Sequence, residues 1–251
     1  MNKENYVGIF DSGIGGVTVL REILKILPNE NYIYYSDSKN NPYGDKSESE
    51  IFNICDKIVK KLFFEYSCKA IVIACNTASA KVASKLRIKY PDKKIIAIEP
   101  AYKMVFDYAY DNPTLVMATQ GTIGSEKFNN LFRKYDNHQT YLLPCKGLAD
   151  LIEAGLQEKI LNYLEDNLSI YKGKVKNVVL GCTHYPLIQT QISEVLGDVI
   201  FFNGAPNLAK HLQKLLQEDN LINTSNNIGE IIFLDSSNLE YKKKRFFDYL
   251  Y

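Results

Sequence analysis

Two stretches of this chain, 107 residues apart, share one pattern, and that repeat constrains the fold more than any other feature. Residues 69–77 and 176–184 each begin with a lysine and run through apolar residues to a cysteine and two polar side chains. The cysteines are Cys75 and Cys182. A short apolar run without alternation is typical of a strand that is buried on both faces. The repeat therefore predicts two similar half-molecules, each with a thiol at the end of a buried strand.

The other predicted strands recur in the same order, at offsets of 104 to 108 residues. They cover residues 6–10, 32–35, 70–74 and 94–98 in the first half, and 114–118, 139–143, the run before Cys182 and 199–202 in the second. We interpret this order as an internal duplication. Amphipathic helices between the strands indicate parallel sheets covered on both faces. The predicted fold class is α/β, with two similar domains related by a pseudo-two-fold, each a mainly parallel sheet flanked by helices.

The tail of the chain is longer than the second half needs to match the first. It reads as a helix, a strand and a final helix, and we expect it to pack back onto the first half. The predicted first domain is therefore 1–98 plus 207–251, and the predicted second domain is 99–206.

The charge pattern argues against large polyanionic partners. The net charge is +1, with acidic and basic residues interspersed, so neither nucleic acid nor a membrane surface is an expected partner. The basic run 242–245 is followed by aromatic residues, which favours an amphipathic helix over an RNA site. No apolar run approaches the roughly 18–20 residues that a membrane-spanning helix needs.

The five cysteines are odd in number and contain no C-x-x-C pair, which argues against a disulfide framework and against a metal site. The chain also begins without the apolar segment of a signal peptide. We therefore expect a cytoplasmic protein with reduced thiols.

Ligands of parallel α/β sheets bind beyond the carboxyl ends of the strands. The polar residues that follow the predicted strands are Asp11 and Ser12, residues 37–44, residues 75–77, residues 119–122 and residues 182–184. This set predicts one site shared by both halves. Asp37 is left out of it, because an aspartate there could equally cap a turn.

Cys75 and Cys182 are the candidate reactive groups, whereas Cys55 and Cys68 are expected to be core residues. A helix is expected to begin just after each reactive cysteine, and its N-terminus would lower the pKa of the thiol. His184, two residues after Cys182, could exchange a proton or orient a group.

The glycine-rich turn 13–16 precedes a predicted helix and is similar to an anion-binding turn. It has neither the G-x-G-x-x-G spacing nor a Walker lysine, and Asp11 would repel a phosphate. We instead expect Asp11 to face a substrate ammonium and the N–H groups that follow it to face a carboxylate.

Two equivalent thiols on opposite walls of a crevice suit the inversion of a carbon centre. One thiol removes a proton and the other delivers one from behind, which requires both within reach of one carbon. Nucleophilic catalysis would need one nucleophile beside a base. A disulfide is the competing use of the pair, and a gap wide enough for a substrate opposes it.

Four segments carry a resemblance to a known family: 8–16, 42–44, 74–80 and 180–187. In them the chain resembles the cofactor-independent aspartate/glutamate racemases, and its Cys-Thr-His-Tyr-Pro-Leu run resembles the glutamate branch. The resemblance implies an active site between the two domains and no cofactor. It also implies interconversion of L- and D-glutamate for peptidoglycan synthesis. Apolar helix faces that a second copy could cover make a homodimer our expectation.

The resemblance further implies roles for individual residues. Cys75 would act on the D enantiomer and Cys182 on the L enantiomer, assisted by Asp11 and His184 respectively. The implied substrate contacts are Asp11, Ser12, Tyr43, Gly44, Asn76, Thr77, Thr119, Thr122, Thr183 and His184. The segment 145–148 departs from the family pattern, and Glu153 is the expected acidic helper near Cys182.

Alternatives remain open at this point. The chain could racemise aspartate or another acidic amino acid, or it could be a thiol hydrolase or a binding module of the same fold. A hydrolase should need one cysteine, and a binding module should tolerate alanine at both.

Overall fold

The computed structural model describes residues 6–251, which form two parallel sheets flanked by helices. The strands are β1 (Tyr6–Asp11), β2 (Asn31–Ser36), β3 (Ala70–Ile73), β4 (Ile95–Ala97), β5 (Thr114–Ala118), β6 (Thr140–Pro144), β7 (Asn177–Gly181), β8 (Ile200–Phe202) and β9 (Ile231–Asp235).

The helices that cover the sheets are short to medium in length. They are α1 (Val17–Ile26), α2 (Glu48–Lys60), α3 (Asn76–Lys89), α4 (Tyr102–Tyr108), α5 (Gln120–Ile123), α6 (Glu126–Tyr135), α7 (Leu148–Ala154), α8 (Gln157–Leu168), α9 (Gln189–Leu196), α10 (Ala205–Glu218) and α11 (Glu240–Leu250). A capping box between Ser47 and Glu50 starts α2, and a π-helical turn, Lys61–Glu65, follows it.

The two sheets repeat one strand order. The first sheet runs β4-β3-β1-β2-β9 and the second runs β8-β7-β5-β6, and each described strand pairing is parallel. The first four strands of each half therefore occupy equivalent positions. The α/β prediction with two similar halves is confirmed.

A core cluster covers each face of both sheets. Successive strand residues point to opposite faces, so each strand contributes to two clusters. In β1, Val7 and Ile9 belong to one core cluster and Phe10 to the cluster on the other face. In the second sheet, Leu115 and Met117 likewise face one cluster and Val116 the other. Cys55 and Cys68 lie in the first-sheet core, as expected.

The tail returns to the first sheet. β9 pairs with β2, and α10 and α11 bury Leu212 and Phe246 in the core cluster that holds Val7 and Ile9. The domain boundaries at residues 98 and 206 stay a prediction. Within residues 6–251, the helices lack the combination of length and apolar character that a bilayer crossing requires.

Candidate active site

The carboxyl ends of strands from both sheets meet at one cavity of about 60 Å³. The predicted site residues that line it are Ser12, Tyr43, Gly44, Cys75, Asn76, Thr77, Thr119, Cys182, Thr183 and His184. Three others, Asp11, Thr122 and Glu153, are buried behind its wall. The structure therefore brings the two cysteines to one cavity and adds a second layer of polar groups.

Cys75 follows β3 and caps the N-terminus of α3. Its Sγ lies 3.7 Å from Oγ of Ser12. Burial raises the pKa of the Cys75 thiol, and the neighbouring charge of Asp11 raises it further. The expectation that the helix N-terminus would lower the pKa of Cys75 is therefore wrong, since desolvation outweighs it.

Asp11 ends β1 and joins the two halves. Its Oδ2 accepts from the backbone N–H of Gly16 at 2.6 Å and from Oγ1 of Thr183, in the other half, at 3.1 Å. Its Oδ1 is buried and accepts no hydrogen bond from the described residues. Burial raises the pKa of Asp11, which outweighs the opposing charge of His184. Asp11 therefore keeps one free acceptor and an elevated proton affinity.

Cys182 follows β7 and has a different setting. The helix expected directly after it is absent: a 3-10 turn, Tyr185–Ile188, intervenes, and α9 begins only at Gln189. Ile188, with φ −120° and ψ 23°, separates this turn from α9. The prediction of a helix N-terminus at Cys182 is wrong, and Nδ1 of His184 lies 3.8 Å from Sγ of Cys182 instead.

His184 and Glu153 form a tight buried pair. Nε2 of His184 lies 2.6 Å from Oε2 of Glu153. Burial would raise the pKa of Glu153, but His184 and the charge of Lys242 lower it to about 2. Burial would lower the pKa of His184, but its hydrogen bonds with Cys182 and Glu153 raise it well above its ordinary value. The pair is therefore an imidazolium and a carboxylate at neutral pH, next to Cys182.

The glycine-rich turn accommodates this pair rather than a phosphate. A methyl group on Gly15 would lie 2.4 Å from Nδ1 of His184, and one on Gly13 would lie 2.6 Å from Oε2 of Glu153. The N–H of Ile14 donates to Oε2 of Glu153 at 3.0 Å. The expectation that N–H groups of this turn face a substrate carboxylate is wrong for Ile14 and for Gly16, since both bind carboxylates of the protein.

Threonines connect the two halves at the cavity wall. Oγ1 of Thr77 lies 2.8 Å from Oγ1 of Thr119, which lies 3.0 Å from Oγ1 of Thr122. Thr119 also caps α5, since its side chain accepts from the N–H of Thr122. Thr122 is fully buried, so it orients Thr119 and does not itself line the cavity.

Two residues that support the site were missed from the sequence. The Tyr43 hydroxyl donates to Oδ2 of buried Asp37 at 2.6 Å, so Asp37 orients Tyr43. Nζ of Lys242, in α11, lies 3.0 Å from Oε1 of Glu153. An aspartate in a turn-rich loop and a lysine in a basic run carry no pattern that points to a site.

Comparison with known proteins identifies the family. The Asp/Glu/Hydantoin racemase family model matches residues 17–212. The chain belongs to this family. A glutamate racemase of Clostridium perfringens is 42% identical over 250 residues, which cover 96% of this chain and 94% of that protein.

Solved structures of the family have the same architecture. The glutamate racemase of Francisella tularensis, in complex with D-glutamate, has a TM-score of 0.83 at 30% identity and covers 99% of this chain and 94% of its own. The Escherichia coli glutamate racemase, in complex with L-glutamate and the activator UDP-MurNAc-ala, has a TM-score of 0.80 at 31% identity, covering 91% of this chain and 89% of its own. The fold described above is therefore the family fold.

Proposed function

We propose that this chain interconverts L- and D-glutamate with Cys75 and Cys182 as the two bases. One observation carries the proposal: each thiol follows a central strand of its own sheet, and both line one cavity. Each thiol also has its own polar partners, Asp11 and Ser12 for Cys75 and His184 for Cys182.

In the direction from L to D, the Cys182 thiolate takes the α-proton of L-glutamate. The imidazolium of His184, 3.8 Å from that sulfur, offsets the charge of the thiolate. The Cys75 thiol, which burial keeps protonated, gives its proton to the opposite face of the carbon. The C–H bond that faces Cys182 breaks and an S–H bond forms at Cys182. The S–H bond of Cys75 breaks and a new C–H bond forms on the opposite face, so the total charge is unchanged.

In the reverse direction Cys75 must lose its proton before it can act on D-glutamate. The carboxylate of Asp11 is the nearby acceptor, with Oδ1 free of protein hydrogen bonds among the described residues. A substrate ammonium group in the cavity would offset the raised pKa of the thiol, because an opposite charge favours the thiolate.

The carbanion-like state requires hydrogen-bond donors at the α-carboxylate, because the α-proton is weakly acidic. Asn76, Thr77 and Thr183 line the cavity and supply amide and hydroxyl donors. Thr119 of the second half also lines the cavity, with its Oγ1 2.8 Å from Oγ1 of Thr77.

Racemisation is tested by circular dichroism of the purified protein with L-glutamate and, separately, L-aspartate. We expect loss of ellipticity with glutamate and no loss of total amino acid. Cys75→Ala and Cys182→Ala should each abolish it. Full activity of either variant contradicts the two-base scheme. Faster turnover of aspartate than of glutamate contradicts glutamate as the substrate. Net loss of amino acid indicates a hydrolase.

Three further statements belong to the same proposal. Supply of D-glutamate for peptidoglycan synthesis is supported by the glutamate racemases among its relatives. A cytoplasmic location is supported by the five buried cysteines, which are all free thiols. A homodimer is supported by exposed aromatic residues such as Phe106 and Tyr108, and light scattering coupled to gel filtration tests it.

A further inference from the structure

The C-terminal helix α11 contacts the His184 side of the cavity from behind. Nζ of Lys242 lies 3.0 Å from Oε1 of Glu153, and Arg245 donates to the backbone carbonyl of Glu153. Lys242 is only 7% exposed, whereas Lys243, the next residue of the same helix, is exposed. Two members of the basic run 242–245 therefore face the protein interior.

A buried ammonium group persists where a carboxylate compensates its lost hydration. The carboxylate that compensates Lys242 is Glu153, and the same group holds Nε2 of His184 at 2.6 Å. Lys242 does not line the cavity. Lys242 contacts Glu153, and Glu153 contacts His184, so any effect of Lys242 on the reaction must pass through Glu153.

Arg245 fixes the same helix at a second point. Gly155 follows the last residue of α7 and has a φ of +68°, and a methyl group there would lie 2.2 Å from the guanidinium of Arg245. The C-terminus of a helix carries partial negative charge, which suits a guanidinium. α11 therefore holds the end of α7, and with it Glu153, from the opposite half of the molecule.

We propose that Lys242 is a positioning residue of the racemisation, whose ammonium acts through Glu153 to set the orientation and protonation of His184, and so proton exchange at Cys182. The proposal rests on the proposed function. It adds a residue of the C-terminal helix to the machinery of one of the two thiols.

The charges around His184 give the proposal its sign. His184 faces the thiol of Cys182, the carboxylate of Glu153 and, farther off, that of Asp11, while Lys242 lies beyond Glu153. With Lys242 present, an ammonium and an imidazolium share the charge of Glu153. Without it, His184 alone compensates that charge and holds its proton more tightly. A thiolate paired with an imidazolium that keeps its proton loses that charge pairing when it takes the α-proton, so proton removal from L-glutamate by Cys182 should slow.

Kinetics of three variants test this inference. Lys242→Met removes the charge at similar length, Lys242→Arg keeps it, and Lys243→Met is the matched control on the same helix. We expect Lys242→Met to lower kcat by roughly tenfold or more, as small misplacements of catalytic groups do. KM should change little, since Lys242 makes no contact with the cavity. Lys242→Arg should recover most of the rate, and the control should match the unmodified protein.

The isotope effect tells which thiol is affected. With α-deuterated glutamate, the isotope effect on kcat of Lys242→Met should rise in the direction in which Cys182 removes the proton, from L to D. An equal change in both directions, or no change, contradicts action through His184.

A titration separates this inference from the proposed function. The chain has three histidines, so ¹⁵N imidazole spectra can follow His184 directly. In Lys242→Met, His184 should lose its proton at higher pH than in Lys243→Met, whether or not the protein racemises glutamate. If the methionine variant does not fold, Lys242→Gln must show the same shift. An unchanged titration, or a rate loss that Lys242→Arg does not recover, overturns the inference.

Discussion

Gly15→Ala tests the close approach between the glycine-rich turn and His184. The backbone of Gly15 lies outside the left-handed region, so alanine meets no conformational strain there. The added methyl would lie 2.4 Å from Nδ1 and 2.6 Å from Cε1 of His184. Ordinary contact begins near 3.4 Å, so the ring or the turn must move by about 1 Å.

The ring has more freedom to move than the turn. Carboxylates hold the backbone on both sides of Gly15, through the N–H groups of Ile14 and Gly16. A displacement of about 1 Å would disturb the 3.8 Å approach of Nδ1 to Cys182 and the 2.6 Å bond to Glu153. Misplacement on this scale costs on the order of 100-fold in rate. Overpacking should also lower the free energy of unfolding by about 1–3 kcal/mol.

The assay is kcat for glutamate by circular dichroism, with urea unfolding on the same protein. Gly8→Ala is the matched control, because its methyl would lie 3.2 Å from Cys68 and Leu62 in the core of the first sheet. The control should lose stability and keep kcat. A Gly15→Ala protein with kcat within about twofold of the unmodified protein would refute the reasoning, since the ring would then have room to spare.

Three further changes test the supporting contacts. Lys69→Met breaks the buried pair with Glu30, whose charged atoms are 2.5 Å apart, and should cost about 3–5 kcal/mol in urea unfolding. Burial would raise the pKa of Asp56, but hydrogen bonds lower it from 3.8 to about 2. The ionised Asp56 therefore contributes roughly 2 kcal/mol to the free energy of unfolding above pH 4, and this contribution is lost as the pH falls toward 2. Asp56→Asn should therefore lower stability at pH 6 and not near pH 2, and an equal loss at both contradicts this. Tyr43→Phe leaves Asp37 without its 2.6 Å donor and should raise KM for glutamate, and an unchanged KM would show that Tyr43 does not order the loop.

The strands could be predicted from the sequence because they are short apolar runs. Thr114–Ala118 has the predicted bounds. The other strands differ from their predicted bounds by one residue, at one end or at both. The helices between them indicated parallel sheets, and the internal repeat indicated two similar halves. Helices α4, α6 and α9 were not singled out, although α6 carries Phe128, Leu131, Phe132 and Tyr135 at helical spacing, so its signal was present and was missed.

The rule for strand ends predicted most of the residues that line the cavity and, behind them, Asp11 and Thr122. Cys75 and Cys182 follow strands, and the rule for parallel sheets locates strand ends at one edge. Asp37 and Lys242 act through other side chains, and their contacts arise from packing between distant segments. Glu153 was expected only from the family resemblance. The prediction for the backbone after Cys182 was wrong because a 3-10 turn and the non-helical backbone of Ile188 precede α9.

The late arrival of β9 has a consequence for the newly made chain. β2 is an inner strand only because β9 covers its edge, and residue 231 follows Ala97 by 134 residues. At the usual rates of synthesis, roughly 7–27 s separate the two. During that interval β2 has an open, aromatic edge that other chains can pair with. The strands of the second sheet are contiguous in the sequence, so this sheet can be completed before β9 is made. The first half of the enzyme is therefore begun first and completed last.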